Sequence, residues 1–259
     1  MSPTKLTACV FDAYGTLFDV ASVAALAESL APGHGADLAR LWRGKQLEYT
    51  WLASLMASPG YQRPDFAAVT AMALDWAIAA LVLPLDATAR TALVDEYRRL
   101  APYPDARAAL ESLSRLPRWI LSNGTRAMLD PLLAATGLRD VIDGVISVDE
   151  AGIYKPAPSV YALAARRLHA PPSGIAFVSA NAWDAAGAQA FGFTAFWINR
   201  AGIPADRHAP SPAYIVGSLA EVATILTGLE SPARAARPAV RTAKRRAPPR
   251  ASGPSRRRA

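Results

Sequence analysis

Cysteine is nearly absent from this chain of 259 residues: Cys9 is the only one, so no intramolecular disulfide can staple the fold. It lies inside an apolar run, where a small buried hydrophobe is the expected role rather than a reactive thiol. Histidine is scarce too. His34, His169 and His208 fall in expected loops or helix ends with no pattern of partners, and no role is assigned to them. No apolar run approaches the roughly eighteen residues that would span a bilayer, which excludes a transmembrane helix. An Asp follows Lys5 too soon for the apolar segment of a secretory signal. Acidic residues are missing altogether from Ser231–Ala259, which carries ten of the 28 Lys and Arg residues. The overall charge of +7 therefore belongs to the tail, and residues 1–230 hold 18 basic against 21 acidic side chains.

What is present is an apolar content of 52% in a chain long enough for one large domain or two smaller ones. That apolar content is ordinary for a globular, cytoplasmic enzyme. Thr7–Phe11 is a short apolar, β-prone run that ends in Asp12, Tyr14, Gly15 and Thr16. Such a run cut off by a turn-forming glycine reads as a buried strand of a parallel sheet. A carboxylate at its exit lies where open α/β sheets keep their ligands.

From Phe18 to about Leu100 the pattern is helical throughout. Helices are expected at Ser22–Leu30, Asp37–Met56, Asp65–Leu83 and Asp86–Leu100, the last with Asp86 as N-cap. In the second of these, Leu38, Leu41, Trp42, Tyr49, Leu52 and Met56 form an apolar stripe, while Arg43 and Leu47 share a different face. After Pro102-Tyr-Pro-Asp105 strands and helices alternate. Helices are expected at Asp105–Leu116, Thr125–Thr136, Ser159–Leu168, Ala185–Phe191 and Leu219–Leu226. Strands are expected at Trp119–Ser122, Val145–Val148, Ile175–Ser179, Ala195–Ile198 and Tyr214–Val216. Alternation of this kind argues an α/β fold with a parallel sheet covered on both faces. The tail, made of Arg, Ala, Pro and Ser, cannot bury enough surface to offset its ordering entropy and is expected to be disordered.

Asp12-Ala-Tyr-Gly-Thr-Leu17 resembles the nucleophile motif of the haloacid dehalogenase superfamily, in the form of its L-2-haloacid dehalogenases. The resemblance spans roughly Leu6–Leu226. It implies a Rossmann-like parallel sheet core (residues 1–18 and 101–230) with an inserted all-helical cap domain (19–100), ahead of a disordered basic tail (231–259). Phosphatases of the superfamily carry a second Asp two positions after the first, and Tyr14 stands there instead. That Asp protonates an alkoxide leaving group, whereas a halide departs as a stable anion. The phosphatases also place an acidic cluster after the fourth strand to hold magnesium. Here Ser179 and Asn181 replace those acids and only Asp184 remains, a poor charge count for Mg²⁺. No cofactor and no metal are expected.

The resemblance also implies roles. Asp12 is the nucleophile, Thr16 orients it, and Lys155 keeps it ionised. Ser122 and Asn123, in Ser-Asn-Gly124, hold the substrate carboxylate and, through the Asn, the halide. Taken alone, that tripeptide is better read as an ordinary turn and cap. Arg43, in Leu41-Trp-Arg-Gly-Lys-Gln-Leu-Glu-Tyr49, faces the nucleophile and takes the halide, though one helical Arg is ordinarily a surface residue. Asp184, positioned by Lys155 and Asn181, activates the hydrolytic water in a catalytic set that includes Ser179. Ala13, Tyr14, Leu47, Tyr161 and Trp183 complete the substrate-binding set; Tyr161 reads equally well as a packing aromatic. The implied reaction converts a short L-2-haloacid into a D-2-hydroxyacid through an aspartyl ester, and family members are commonly homodimers. Two alternatives stand beside it. One is a metal-dependent phosphatase or phosphonatase on the same fold. The other is a nucleic-acid-binding protein using the tail, whose charge predicts weak, non-specific contact with polyanions.

Overall fold

The computed structural model describes residues 6–56, 58–207 and 209–230. The tail expected at residues 231–259 lies outside these residues. Six parallel strands form one sheet: β1 (Ala8–Phe11), β2 (Arg118–Ser122), β3 (Gly144–Ser147), β4 (Ile175–Ser179), β5 (Thr194–Ile198) and β6 (Tyr214–Val216). Their order is β3-β2-β1-β4-β5-β6. β1 therefore lies inside the sheet, paired with β2 through Cys9↔Arg118 and with β4 through Cys9↔Ala176. Every residue of β1 and β4 is buried, which is why both read as continuous apolar runs rather than alternating ones. Strand order reverses between β1 and β4, and the crevice beyond their carboxyl ends is the ligand position of such sheets.

The core helices are α5 (Ala106–Ser112), α6 (Arg126–Ala135), α7 (Pro158–Arg167), α8 (Ala182–Phe191) and α9 (Leu219–Glu230). Four helices fall between β1 and β2: α1 (Ala21–Leu30), α2 (Gly35–Leu55), α3 (Phe66–Ala80) and α4 (Ala87–Glu96). They pack on one another as the cap. The chain enters and leaves it along two antiparallel crossings, where Asp19 N donates to Ala101 O at 2.8 Å and Tyr103 N to Leu17 O at 2.9 Å.

The expected boundaries shift where tertiary contacts override local signals. α2 begins two residues early because Glu28 of α1 accepts from Gly33 N at 2.7 Å and Gly35 N at 2.8 Å, capping the helix from outside. Gly35 also packs so closely on α1 that a Cβ there would lie 2.4 Å from the Glu28 backbone. α3 stops at Ala80 rather than Leu83, since the residue before Pro84 disfavours helix and Val82 takes a φ of +53°. α4 stops at Glu96 and α5 at Ser112, both followed by hydrogen-bonded turns, while α9 runs on to Glu230.

The buried face of α2 needs correction. It consists of Gly35, Leu38, Trp42, Gln46, Thr50 and Ala53, a row at i+3 and i+4 spacing. Leu52 and Met56 from the expected stripe are exposed. Two polar residues hold interior positions because the cap supplies partners for them, which an apolar count could not register.

Candidate active site

The site forms where β1, β4 and the start of α8 meet α2 of the cap. Asp12 leaves β1 with its backbone N still bonded to Val178 O at 2.9 Å. Its chain then turns through Gly15, whose φ of +79° is a left-handed conformation suited to glycine. The Ala13 carbonyl accepts from Thr16, Leu17 and Phe18 N at 3.2, 2.9 and 3.1 Å, fixing this turn.

Both oxygens of the Asp12 carboxylate are held. Lys155 Nζ donates to Oδ1 at 3.2 Å, and Thr16 Oγ1 and Asn181 Nδ2 each donate to Oδ2 at 3.0 Å. Lys155 also donates to Asp184 Oδ2 at 2.9 Å, and Tyr161 Oη to Asp184 Oδ1 at 2.8 Å. Lys155, Tyr161 and Asp184 are fully buried and Asp12 nearly so. Burial pulls the Lys155 ammonium downward, but Asp12 and Asp184 outweigh it and raise its pKa, so it remains charged at neutral pH. Burial raises Asp184, against the lowering influence of Lys155, which makes it a stronger base than an ordinary carboxylate. Tyr161 is held well above its usual value by burial and the Asp184 charge, so its hydroxyl stays a donor.

Asp184 belongs to α8 because that helix starts at Ala182, three residues before the expected Ala185, with Asn181 at the N-cap. The carboxylate thereby falls in the first turn, where the helix dipole favours it. Ser179 Oγ accepts from Asn181 N at 3.1 Å and shapes the loop that presents Asn181. Arg43, from α2, closes the site across the cap seam: its Nη2 donates to Asn181 Oδ1 at 3.3 Å. Asn123 Oδ1 accepts from Lys155 N at 3.1 Å and anchors the lysine's loop. Ser122 Oγ accepts from Gly124 N at 3.0 Å, the turn contact that its sequence also allowed.

Tyr14 is buried beside these groups. Its ring stacks on Phe66 at 5.9 Å and meets Tyr97 edge-on at 5.7 Å. Gly124 is required opposite it, since a Cβ there would lie 2.8 Å from the Tyr14 ring. Tyr14 Oη has no hydrogen-bond partner among the described residues. Burial raises its pKa, so it is a neutral donor. Trp183 meets Trp51 of α2 edge-on at 5.7 Å, forming a wall between core and cap. A cleft of about 290 Å³ along that seam is lined by Trp51, Ser54, Tyr154 and Lys155 among others. A larger groove of about 710 Å³, lined by Asp75, Ile78, Val82 and Arg90, contains none of the site residues. Leu47 is half-buried on α2, one turn from Arg43. Tyr161 packs its ring against Phe177, Phe191 and Phe193, as its packing reading expects, while its hydroxyl donates to Asp184.

Two contributors were missed in the sequence. Arg200, just after β5, donates to Gly15 O and Thr16 O at 3.0 Å each and lies 3.6 Å over the Tyr103 ring. It clamps the loop that follows Asp12 to the cap crossing. Gln46 accepts from Arg43 Nη1 at 2.6 Å. Neither carries a motif signal; Gln46 could have been found only from its i+3 spacing to Arg43. Among the described residues no three His, Cys, Asp or Glu side chains are grouped as metal ligands. Lys155 itself bridges the two carboxylates.

Residues 6–192 match the family of haloacid dehalogenase-like hydrolases. The chain is 45% identical over 214 residues to an (S)-2-haloacid dehalogenase of Pseudomonas sp. strain YL, covering 82% of this chain and 90% of that protein. Its fold superposes on a solved L-2-haloacid dehalogenase with a TM-score of 0.84 at 44% identity, over 86% of this chain and all of the other. The Xanthobacter autotrophicus L-2-haloacid dehalogenase with covalently bound chloropropionic acid gives a TM-score of 0.78 at 38% identity, over 86% and 99% of the two chains. Two buried carboxylates, the lysine between them and the helical cap are thus set in a known framework, and the chain belongs to the haloacid dehalogenase-like hydrolases.

Proposed function

We propose that this protein is an (S)-2-haloacid dehalogenase, hydrolysing short L-2-haloalkanoic acids to D-2-hydroxyalkanoic acids. The observation that carries the proposal is Lys155 seated between Asp12 and Asp184, with Tyr14 where a phosphatase of this fold needs its second acid. One ammonium between two carboxylates leaves a single negative charge, and Arg43 brings one positive charge. That balance suits a substrate with one carboxylate rather than a multiply charged phosphoryl group.

Asp12 attacks C2 from the side opposite the halogen. A carbon–oxygen bond forms, the carbon–halogen bond breaks with its electron pair, and C2 inverts. Arg43 and Asn123 receive the halide, while Ser122 and the turn at Ala13 and Tyr14 hold the substrate carboxylate. Tyr14 Oη supplies a donor not engaged elsewhere, and Leu47 and Trp183 wall the alkyl group. Water then attacks the ester carbonyl carbon of Asp12. Asp184 takes one proton of that water and returns it to the departing alkoxide, the other leaves the regenerated Asp12 carboxyl for solvent, and C2 is untouched in this step. Thr16 and Asn181, bonded to Asp12 Oδ2, hold the carboxylate in position for both steps.

The test is halide release from L- and D-2-chloropropionate before and after exhaustive chelation. Release from the L-enantiomer alone, undiminished by EDTA, is the expected result. Loss of turnover on chelation that Mg²⁺ restores would return the phosphatase alternative to first place.

A cytoplasmic location, a homodimer and weak polyanion contact through the tail are part of the same proposal. The homodimer is supported by apolar side chains exposed on the cap, with Leu52 and Leu55 on α2, Met56 at its C-cap, and Met72 and Trp76 on α3. No described helix is long and apolar enough to cross a membrane.

A further inference from the structure

Arg43 is a flexible side chain entering the site from the cap, and a dry anion site needs it held still. The group that holds it is Gln46, wholly buried on α2. Its Oε1 accepts from Arg43 Nη1 at 2.6 Å, and its Nε2 donates to Thr70 Oγ1 of α3 at 2.7 Å. Thr70 in turn donates to Phe66 O at 2.6 Å.

The direction of this chain is fixed by chemistry. A guanidinium has donors only, so the amide oxygen must face Arg43. The Thr70 proton is committed to a backbone carbonyl, so its oxygen must accept from the amide nitrogen. A flipped amide would set donor against donor at Arg43. On the other side, Asn181 accepts from Arg43 Nη2 through Oδ1 and donates to Asp12 Oδ2 through Nδ2. Both partners of Arg43 are neutral amides, and Arg43 makes no ion pair among the described residues. Its positive charge is held in place without being neutralised.

We propose that Gln46, backed by Thr70, is the positioning residue that fixes Arg43 for halide departure, and that its neutrality keeps the guanidinium charge available to the anion. This rests on Arg43 as the halide acceptor. A carboxylate of the same size would hold the arginine equally well but consume its charge. An apolar side chain of similar volume would spare the charge but free the arginine to move.

The experiment measures kcat, KM and bromide product inhibition for L-2-chloropropionate in the full-length chain, with thermal unfolding as the fold check. Arg43→Ala tests the underlying assignment, with kcat expected to fall about a hundredfold. Gln46→Glu should cost a comparable factor in kcat and weaken bromide inhibition about tenfold or more at an unchanged unfolding temperature. Gln46→Met should lower kcat about tenfold, the scale of one charge-assisted hydrogen bond, with KM moving much less. A near-wild-type Arg43→Ala would remove the halide assignment and this proposal with it. A crippled Arg43→Ala beside folded Gln46 variants with wild-type kcat and bromide inhibition would overturn the positioning role alone. If the Gln46 variants do not fold, Thr70→Val decides: lower kcat with weaker bromide inhibition supports the relay, and wild-type constants overturn it.

Discussion

Asp12→Asn is expected to abolish steady turnover, a loss on the order of 10⁴-fold or more, as for removal of a covalent nucleophile elsewhere. The amide keeps the size of the side chain and can still accept at Oδ1, so Lys155 and Asp184 remain paired and the fold survives. The neutral amide is a far poorer nucleophile toward C2. Halide release, followed beside circular dichroism, checks both halves. Turnover within tenfold of the wild type would mean that water attacks the substrate directly, and the ester would have to be abandoned.

The second large effect belongs to Lys155. Lys155→Met removes the ammonium from between Asp12 and Asp184 and leaves two buried carboxylates facing one another. Breaking a buried pair by deleting one partner costs about 3–5 kcal/mol, so a large loss of stability should accompany the loss of activity. The pH dependence follows from the raised folded pKa of Lys155. A group that holds its proton more tightly when folded contributes fully below its unfolded value, here 10.5. The contribution is lost as pH rises through the higher folded value. Urea unfolding of wild type and variant should differ by a constant amount between pH 7 and 9, and the gap should narrow above 10.5. A difference below about 1 kcal/mol at pH 7 would show that the carboxylates do not depend on the ammonium.

What the sequence made legible tracks where each residue's environment is local. β1 and β4 are bounded by their own apolar runs and turn residues, and Ile175–Ser179 was read to the residue. Asp12, Thr16, Asn181 and Asp184 stand at the ends of those strands, so the chain order alone set them on one sheet edge. The meeting of Arg43 with Asn181 joins residues 138 apart across the cap seam, and the family resemblance pointed only to Arg43 facing Asp12. The face of α2 was misread because Gln46 and Thr50 are buried through partners. Gln46 is satisfied by Arg43 three residues before it and by Thr70 of α3, and no count along α2 could reveal the second partner. Arg200 acts through backbone carbonyls of the loop that follows Asp12, a role without any pattern in sequence. The early start of α8 was hidden by Trp183, an indifferent helix former that blurred the boundary at Asn181.

The central claim is that Asp12 carries the substrate as an ester and that water opens it at the protein's own carbonyl. A single turnover of L-2-chloropropionate in ¹⁸O-water with enzyme in excess tests this most directly, followed by mass analysis of the Asp12-containing peptide and of the product. The account predicts ¹⁸O in the Asp12 carboxylate and none in the D-2-hydroxyacid of that first turnover. Label in the hydroxyacid with an unlabelled Asp12 would contradict it.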